Sequence, residues 1–331
     1  MIESTQKQLG WISKNTYKSR LMKIPYFEVR VSGKKLRYVD GGNVISRSRV
    51  LTLLEKEPTT VAWLESFEPG EVLIDIGANV GMYSLYAAVI SGARVFSFEP
   101  ESQNYAELNK NIFVNGAHEK VSAYCLAVSD TDEVNFLNLS TFATAYAHHD
   151  FKENTWKGDR QLGEDTYSRA ERLRQGSVSF TLDSLIRLGG IPKPQHIKVD
   201  VDGIEHKVFK GMQETLKSNT LKSVLFEIDN AIPESRAIVP KMLELGWKFS
   251  EDQVRINQHE IAEFATVEKR MKKGKGGQNF VFFKDEAYRR FFENYLKSYT
   301  PPNPPTPEGL AKWPHKASRL VRRLKWMRLN A

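Results

Sequence analysis

The segment spanning residues 72–84, VLIDIGANVGMYS, constrains the fold of this chain more than any other feature. A short apolar run enters a turn that contains Gly77 and Gly81, and a helical pattern follows. Glycines at such a turn let the backbone approach a ligand closely, and unpaired N–H groups at a helix start favour negatively charged groups. The segment therefore predicts a strand–loop–helix unit with a ligand over the loop.

The next apolar run, VFSFEP, places an acidic residue where a sugar would lie. Its Glu99 stands 22 residues after Gly77 in the chain. A carboxylate at the end of the second strand of such a unit accepts hydrogen bonds from ribose hydroxyls. The glycine loop and the carboxylate together predict an adenosine-containing ligand.

The glycine spacing bears on which adenosine ligand is bound. A dinucleotide site requires G-x-G-x-x-G, and its second glycine is replaced here by Asn79, whose side chain would intrude on a diphosphate. A ligand without phosphates, such as S-adenosylmethionine, fits better, and its ammonium and sulfonium would suit acids such as Asp75. An NAD(P)-dependent oxidoreductase and a non-catalytic binding or anchoring protein remain alternatives.

Apolar runs alternate with helical patterns over most of the chain, which predicts an α/β fold with a doubly wound, mostly parallel sheet. Residues 140–176 are a polar interruption that we expect to face the substrate. The predicted organisation is an N-terminal extension (1–47), a catalytic domain (48–285), and a C-terminal region (286–331). The predicted strands are residues 72–74, 94–98, 121–128, 177–182, 197–199, 223–228 and 279–283.

The charge of the chain is concentrated at its ends. The net charge is +8, with +8 in residues 1–50, +7 in residues 309–331 and −7 in the remainder. An acidic body argues against a nucleic-acid groove, whereas the basic amphipathic tail, which follows a proline-rich linker, would permit peripheral membrane contact. The oligomeric state stays open.

Composition excludes several other classes of protein. The single cysteine, Cys125, rules out an internal disulfide framework and a four-cysteine zinc site, and we expect it in the core. No apolar run approaches the ~18–20 residues that span a bilayer, and the N-terminus lacks a secretory pattern. We therefore expect a soluble, cytoplasmic protein.

Four stretches of this sequence resemble the FkbM-type methyltransferase family. The resemblance implies a class I methyltransferase (Rossmann-like) fold with a seven-stranded sheet. It also implies S-adenosylmethionine as cofactor and methylation of a hydroxyl on a small-molecule or glycan acceptor, such as a sugar, glycan or polyketide-like metabolite. The stretches are KEPTTVAWLESFEPGEVLIDIGANVGMYS, VFSFEPESQNYAELNKNIFVN, SFTLDSLI, and IKVDVDGIEHKVFKGM with SVLFEID.

Carried onto this chain, the resemblance also implies the residues that hold the cofactor. They lie in the glycine loop, at the end of the second strand, and after the third strand, where such enzymes hold the adenine. The implied residues are Asp75, Gly77, Asn79, Gly81, Glu99, Ala127, Ser129 and Asp130.

Further acidic residues follow the strands predicted at 197–199 and 223–228. The carboxyl ends of parallel strands meet at one sheet edge, so these residues should converge on the ligand crevice. Neighbouring carboxylates raise one another's pKa, which favours a general base, or they bind a divalent cation. We therefore expect Asp200 to be the base or a metal ligand, with Glu227 as a second metal candidate. The other catalytic candidates are Asp202, Glu205 and His206, and the pair His148-His149 is a weaker one.

Overall fold

The computed structural model of the chain describes residues 13–18, 23–54, 56–141, 143–147, 149–151, 173–229, 232–250, 253, 277–287, 290–291 and 294. The proline-rich linker and the basic tail predicted beyond residue 298 lie outside these residues. Within the described part, no helix is both long enough and apolar enough to cross a bilayer.

The chain begins with a three-stranded antiparallel sheet and two short helices. Its strands are β1 (Ser13–Lys18), β2 (Lys23–Val31) and β3 (Lys34–Val39), and the helices are α1 (Val44–Leu51) and α2 (Pro58–Glu65). The later elements are β4 (Val72–Ile76), α3 (Met82–Tyr86) with a π-helical turn (Ala87–Ser91), β5 (Arg94–Phe98), α4 (Ser102–Val114), β6 (Val121–Tyr124), β7 (Ala127–Val128), β8 (Glu133–Leu139), β9 (Asp150–Phe151), β10 (Leu173–Phe180), α5 (Leu182–Arg187), β11 (His196–Val199), α6 (Glu205–Lys210), α7 (Gln213–Leu216), β12 (Ser223–Asp229), α8 (Pro233–Arg236), α9 (Ile238–Glu244) and β13 (Gly277–Phe283).

The main sheet creates the crevice that the sequence analysis expects. Its strand order is β13-β12-β11-β4-β5-β6, and every neighbouring pair is parallel except β12 with β13. The chain leaves β4 toward β5 and β6 on one side and later returns to β11 and β12 on the other. Such a reversal leaves a crevice at the carboxyl ends of β4 and β11, where open α/β sheets bind ligands.

Both faces of the main sheet are covered, as a doubly wound sheet requires. In β4, Leu73 packs into one apolar cluster with the N-terminal sheet and α4, whereas Ile74 and Ile76 pack into a second cluster with α5, α6 and α7. All five residues of β4 are buried. Two-sided burial explains the continuous apolar runs from which these strands are predicted.

A second, smaller sheet corrects the predicted strand count. The strand predicted at residues 177–182 corresponds to β10, which lies in a four-stranded sheet of order β7-β10-β8-β9. The strand predicted at 121–128 is divided between β6 in the main sheet and β7 in the second one. The main sheet therefore has six strands among the described residues, not seven. Only Ser179 of β10 is fully buried, so this strand lacks the two-sided burial of a central strand.

The N-terminal sheet is packed against the main sheet and α4. Phe27, Leu36 and Tyr38 are buried in the same apolar cluster as Leu73. Asn111 in α4 accepts a hydrogen bond from the Val39 N–H at 2.7 Å and donates one to the Val80 carbonyl at 2.8 Å. Much of the segment expected as an extension therefore contributes to the core.

Candidate functional site

The glycine loop after β4 touches the end of β11 directly. Gly77 has φ of 81°, and a Cβ there would overlap the carbonyl oxygen of Asp200. Only glycine satisfies both the left-handed backbone and this close approach. The requirement for Gly77 therefore comes from the junction of the two strands that form the crevice.

Every backbone N–H from Gly77 to Gly81 has an acceptor inside the protein. The Gly77 and Ala78 N–H groups both donate to the Phe98 carbonyl at 3.0 Å, and that of Gly81 donates to the Ala78 carbonyl at 2.8 Å. The Asn79 N–H donates to the Glu99 carboxylate at 2.8 Å, and the Val80 N–H to the Asn79 side chain at 3.0 Å. The loop from Gly77 to Gly81 is thus closed by internal hydrogen bonds, while the expectation of open N–H groups at the start of α3 concerns residues from Met82 onward.

Glu99 lies at the end of β5, as predicted, and is 5% exposed. Besides Asn79, the Glu101 N–H donates to its carboxylate at 2.9 Å. Burial raises the pKa of Glu99 to about 7, although these backbone hydrogen bonds oppose the shift. The group therefore titrates near neutral pH and is held rigidly beside the glycine loop.

A segment of the polar interruption, residues 143–147 (the bridging segment), is attached to the loop. The Asn79 side-chain amide donates to the Tyr146 carbonyl at 2.8 Å, and that of Asn104 to the same oxygen at 3.1 Å. The Ala145 N–H donates to Asn104 Oδ1 at 2.7 Å, and Arg49 Nε donates to the Ala145 carbonyl at 2.9 Å. These contacts hold the bridging segment against the loop, α4 and α1.

Around this junction lies a cavity, an open crevice that encloses about 550 Å³ of empty space, a volume that includes open solvent. One wall is apolar, another carries the loop and the bridging segment, and a third follows β11. The apolar wall comprises Phe98, Leu126, Ala127, Val128, Leu137 and Phe151; the second includes Gly77, Asn79, Glu99, Asn104 and Tyr146; the third includes Asp200, Val201, Asp202 and Ile204.

Four of the predicted cofactor residues are not among the described residues that line the cavity. Asp75 is buried and accepts a hydrogen bond from Ser84. A Cβ at Gly81 would overlap Leu108 of α4, so packing against α4 accounts for a glycine at this position. Ser129 and Asp130 hydrogen-bond to each other beyond β7, at 3.3 Å. Ala127, by contrast, lies in the apolar wall, as expected.

Asp200 is paired with a buried lysine that the sequence analysis did not single out. Lys198 Nζ donates to Asp200 Oδ2 at 2.7 Å and lies 3.9 Å from Asp75 Oδ1. The lysine side chain is 2% exposed and that of Asp200 25%. Burial lowers the pKa of Lys198, but Asp200 and Asp75 outweigh it and raise the pKa overall. The ammonium therefore stays charged beneath the cavity.

Asp200 and Glu227 are interacting carboxyl groups whose pKa values shift in opposite directions. Burial would raise the pKa of Asp200, but the Lys198 ammonium and a hydrogen bond from Glu227 hold that pKa well below its usual range. The charge of Asp200, together with burial, raises the pKa of Glu227 well above its usual range. The like charge thus raises the pKa of Glu227, as expected for one member of such a pair, whereas Lys198 makes Asp200 the more readily ionised of the two carboxyl groups.

The remaining catalytic candidates lie in the loop after β11. Asp202 lines the cavity and has φ of 56°. Glu205 is buried, and its carboxylate accepts the Gly203 N–H at 2.9 Å, so it braces this loop. Burial raises the pKa of Glu205 to about 7. His206 follows in α6 and is not among the described residues that line the cavity.

The structure lends no support to the metal alternative. In the described part of the chain, no group of three or more His, Cys, Asp or Glu side chains is arranged to hold a metal ion. His149 lines the cavity, and its Nδ1 accepts the Ser140 N–H at 3.3 Å, whereas His148 lies outside the described residues. Cys125 is exposed, so its predicted core position is wrong.

Comparison with known families identifies what kind of protein carries this site. The methyltransferase FkbM domain matches residues 75–272, more than half of the chain. The chain belongs to the FkbM methyltransferase family. This confirms the resemblance inferred from the loop and from the acidic motif after β11.

Curated relatives of this FkbM family member are distant. The hexuronic acid methyltransferase AglP of Haloferax volcanii is 28% identical over 60% of this chain and 71% of its own length. The 31-O-demethyl-FK506 methyltransferase FkbM of Streptomyces tacrolimicus is 25% identical over 52% of this chain and 71% of its own length. An rRNA methylase structure from Streptococcus thermophilus covers 69% of this chain and 94% of its own, at 8% identity and a TM-score of 0.38, which is too low to inform function.

Sequence reasoning on this FkbM protein missed Lys198, Asn104 and Arg49. Lys198 stands in β11, two residues before Asp200, which directly follows that strand, and side chains two residues apart in an extended chain point to the same face. Asn104 and Arg49 act through the backbone of the bridging segment. Nothing in their local sequence indicates such a distant contact.

Proposed function

We propose that this FkbM family member is an S-adenosylmethionine-dependent O-methyltransferase with a class I fold. The observation that carries the proposal is the buried Glu99 carboxylate at the cavity edge, next to the tightly turned loop after β4. Ribose hydroxyls suit this acceptor, and the flat apolar wall around Ala127 suits an adenine ring. When bound, S-adenosylmethionine supplies an electrophilic methyl group.

Asp200 is the residue that we assign to the acceptor hydroxyl. It lines the cavity, and Lys198 keeps it ionised and fixed. The carboxylate orients the hydroxyl by accepting its hydrogen bond, and takes the proton as the oxygen gains the methyl group. A carboxylate of low pKa is a weak base, so orientation is its larger contribution. The raised pKa of the neighbouring Glu227 favours its neutral form and so limits the negative charge beside Asp200.

For the acceptor we propose a hydroxyl of a sugar, a glycan or a polyketide-like metabolite. The names of the curated relatives support this class, since one acts on a hexuronic acid and another on a demethylated FK506. Three further expectations stay predictions: a cytoplasmic location, the absence of a nucleic-acid partner, and membrane contact by the basic tail.

Calorimetry with S-adenosylhomocysteine and transfer of labelled methyl groups to a panel of hydroxylated acceptors test the proposal. We expect binding by the wild-type protein and transfer to at least one acceptor. Asp200→Asn should retain S-adenosylhomocysteine affinity within about threefold and slow transfer by about 10²-fold or more, because orientation and proton removal are both impaired. Failure of the folded wild-type protein to bind S-adenosylhomocysteine would contradict the proposal.

A further inference from the structure

We infer that the glycine loop and the bridging segment form a selectivity device that admits a nucleoside without phosphates and rejects a dinucleotide. The inference rests on the proposed function and adds the structural basis of ligand choice. It assigns Asn79 and Arg49, which bind adjacent carbonyl groups of the bridging segment, as residues that determine specificity.

The first observation is the hydrogen bonding of the loop itself. Phosphate-binding loops present free backbone N–H groups to the anion. Here the five N–H groups from Gly77 to Gly81 already donate to the Phe98 carbonyl, the Glu99 carboxylate, the Asn79 side chain and the Ala78 carbonyl. A pyrophosphate over this loop would lose its solvation without gaining these donors, which is unfavourable.

The second observation is that the place of a pyrophosphate is occupied. In a dinucleotide site the pyrophosphate lies over the second glycine of the motif, which corresponds to Asn79 here. The Asn79 side chain extends to the Tyr146 carbonyl, so the bridging segment lies directly over that position. The Tyr146 carbonyl oxygen accepts the Asn79 amide of the loop, and the Glu99 carboxylate accepts the Asn79 backbone N–H. Both groups are hydrogen-bond acceptors and repel a phosphate.

The third observation is that the bridging segment is held from both sides. Arg49 binds the Ala145 carbonyl from α1, while Asn79 binds the Tyr146 carbonyl from the loop. Arg49 is not among the described residues that line the cavity. Substituting it therefore loosens the segment without changing a side chain that contacts the ligand. Asn79 has φ of 50°, so glycine at this position keeps the backbone conformation.

The test compares wild type, Asn79→Gly, Arg49→Met and the double variant. Calorimetry measures the dissociation constants of S-adenosylhomocysteine and NAD⁺, and hydrogen exchange measures the Ala145 amide. The matched control is Asn109→Ala, since Asn109 is exposed on α4 and its side chain binds only the Tyr105 carbonyl of its own helix among the described contacts.

We expect the double variant to bind NAD⁺ better relative to S-adenosylhomocysteine, so that the ratio of the NAD⁺ dissociation constant to the S-adenosylhomocysteine dissociation constant falls at least tenfold. Hydrogen exchange at the Ala145 amide should also be faster in this variant. Each single variant should move both readouts in the same direction, and the control should move neither. If the wild type binds S-adenosylhomocysteine but the ratio or the Ala145 exchange is unchanged in the variants, the inference is overturned. If the folded wild type binds no S-adenosylhomocysteine, it is the proposed function that fails.

Discussion

Glu99 shows how burial converts an ordinary carboxylate into a pH-sensitive binding group. Its carboxylate accepts N–H groups of Asn79 and Glu101, out of about four acceptor positions that a carboxylate offers. Burial raises its pKa to about 7, so this carboxyl group titrates near neutral pH. Hydroxyl donors of a ribose prefer the ionised form, so ligand binding and proton release are coupled.

We therefore predict that the affinity for S-adenosylhomocysteine falls as the pH is lowered. With a pKa of about 7, the ionised fraction is about tenfold smaller at pH 6 than at pH 8, and the affinity should fall by the same factor. Calorimetry in two buffers of different ionisation enthalpy would also detect the released proton. In Glu99→Gln this pH dependence should disappear, and the affinity at pH 8 should fall about tenfold or more, as for the loss of one charge-assisted hydrogen bond. A Glu99→Gln protein with the wild-type pH profile would contradict this assignment.

The sequence allowed Glu99 and Asp200 to be placed at strand ends, because each closes a short apolar run. It did not reveal which acid carries the proton. That outcome depends on the parallel register in which Lys198 lies opposite Asp75, and on the neighbouring position of Glu227 on β12. Register between strands more than 100 residues apart has no local signal.

At the scale of elements, the junction between β4 and β11 positions both halves of the site. Gly77 approaches the Asp200 carbonyl so closely that the two strand ends must move together. A side chain at this position would push the loop away from the wall that carries Asp200. Gly70 is a useful comparison, since its φ of 89° is similarly left-handed but nothing lies within 4 Å of its Cβ position.

We predict that Gly77→Ala is far more damaging than Gly70→Ala. Both variants bear the strain of a left-handed alanine, roughly 1–2 kcal/mol. Gly77→Ala also forces backbone atoms apart, which should lower the free energy of unfolding by about 1–3 kcal/mol more. The displaced loop should also weaken S-adenosylhomocysteine binding at least tenfold. Urea unfolding and calorimetry measure the two effects. Equal losses in the two variants would show that contact with Asp200 is unimportant.

The elements of the main sheet were largely predictable because two-sided burial leaves an unbroken apolar run. The second sheet was not, since β10 is mostly half-buried and carries polar residues such as Arg174 and Gln175. Its pairing with β7 and β8 depends on contacts outside the run itself. For the same reason the prediction assigned residues 177–182 to the wrong sheet.

At the scale of the whole molecule, Asn111 connects the N-terminal sheet to the glycine loop. One end of its amide accepts the Val39 N–H, and the other donates to the Val80 carbonyl. The residue is 1% exposed, so both backbone groups would be left buried without their partner if the amide were removed. The sheet that precedes the family-matched region therefore supports the glycine loop.

We predict that Asn111→Ala lowers the free energy of unfolding by about 2–6 kcal/mol. An unsatisfied buried polar group costs about 1–3 kcal/mol, and two such groups are created. Urea unfolding followed by circular dichroism measures the change, and Asn109→Ala, on the exposed face of the same helix, should stay within about 1 kcal/mol of the wild type. Similar values for the two variants would show that the N-terminal sheet does not depend on Asn111.

The attachment of the bridging segment has a consequence for how this enzyme can diversify. Asn43, Arg49, Asn79 and Asn104 all reach it through its main-chain atoms, at Thr144, Ala145 and Tyr146. Main-chain anchors are indifferent to side-chain identity, except at Ala145, which is buried with φ of 67°. Tyr146 and Ala147 line the cavity, so replacing their side chains should alter what the cavity recognises while the anchoring persists. Libraries confined to these two positions are a route to new ligand preferences on an unchanged scaffold.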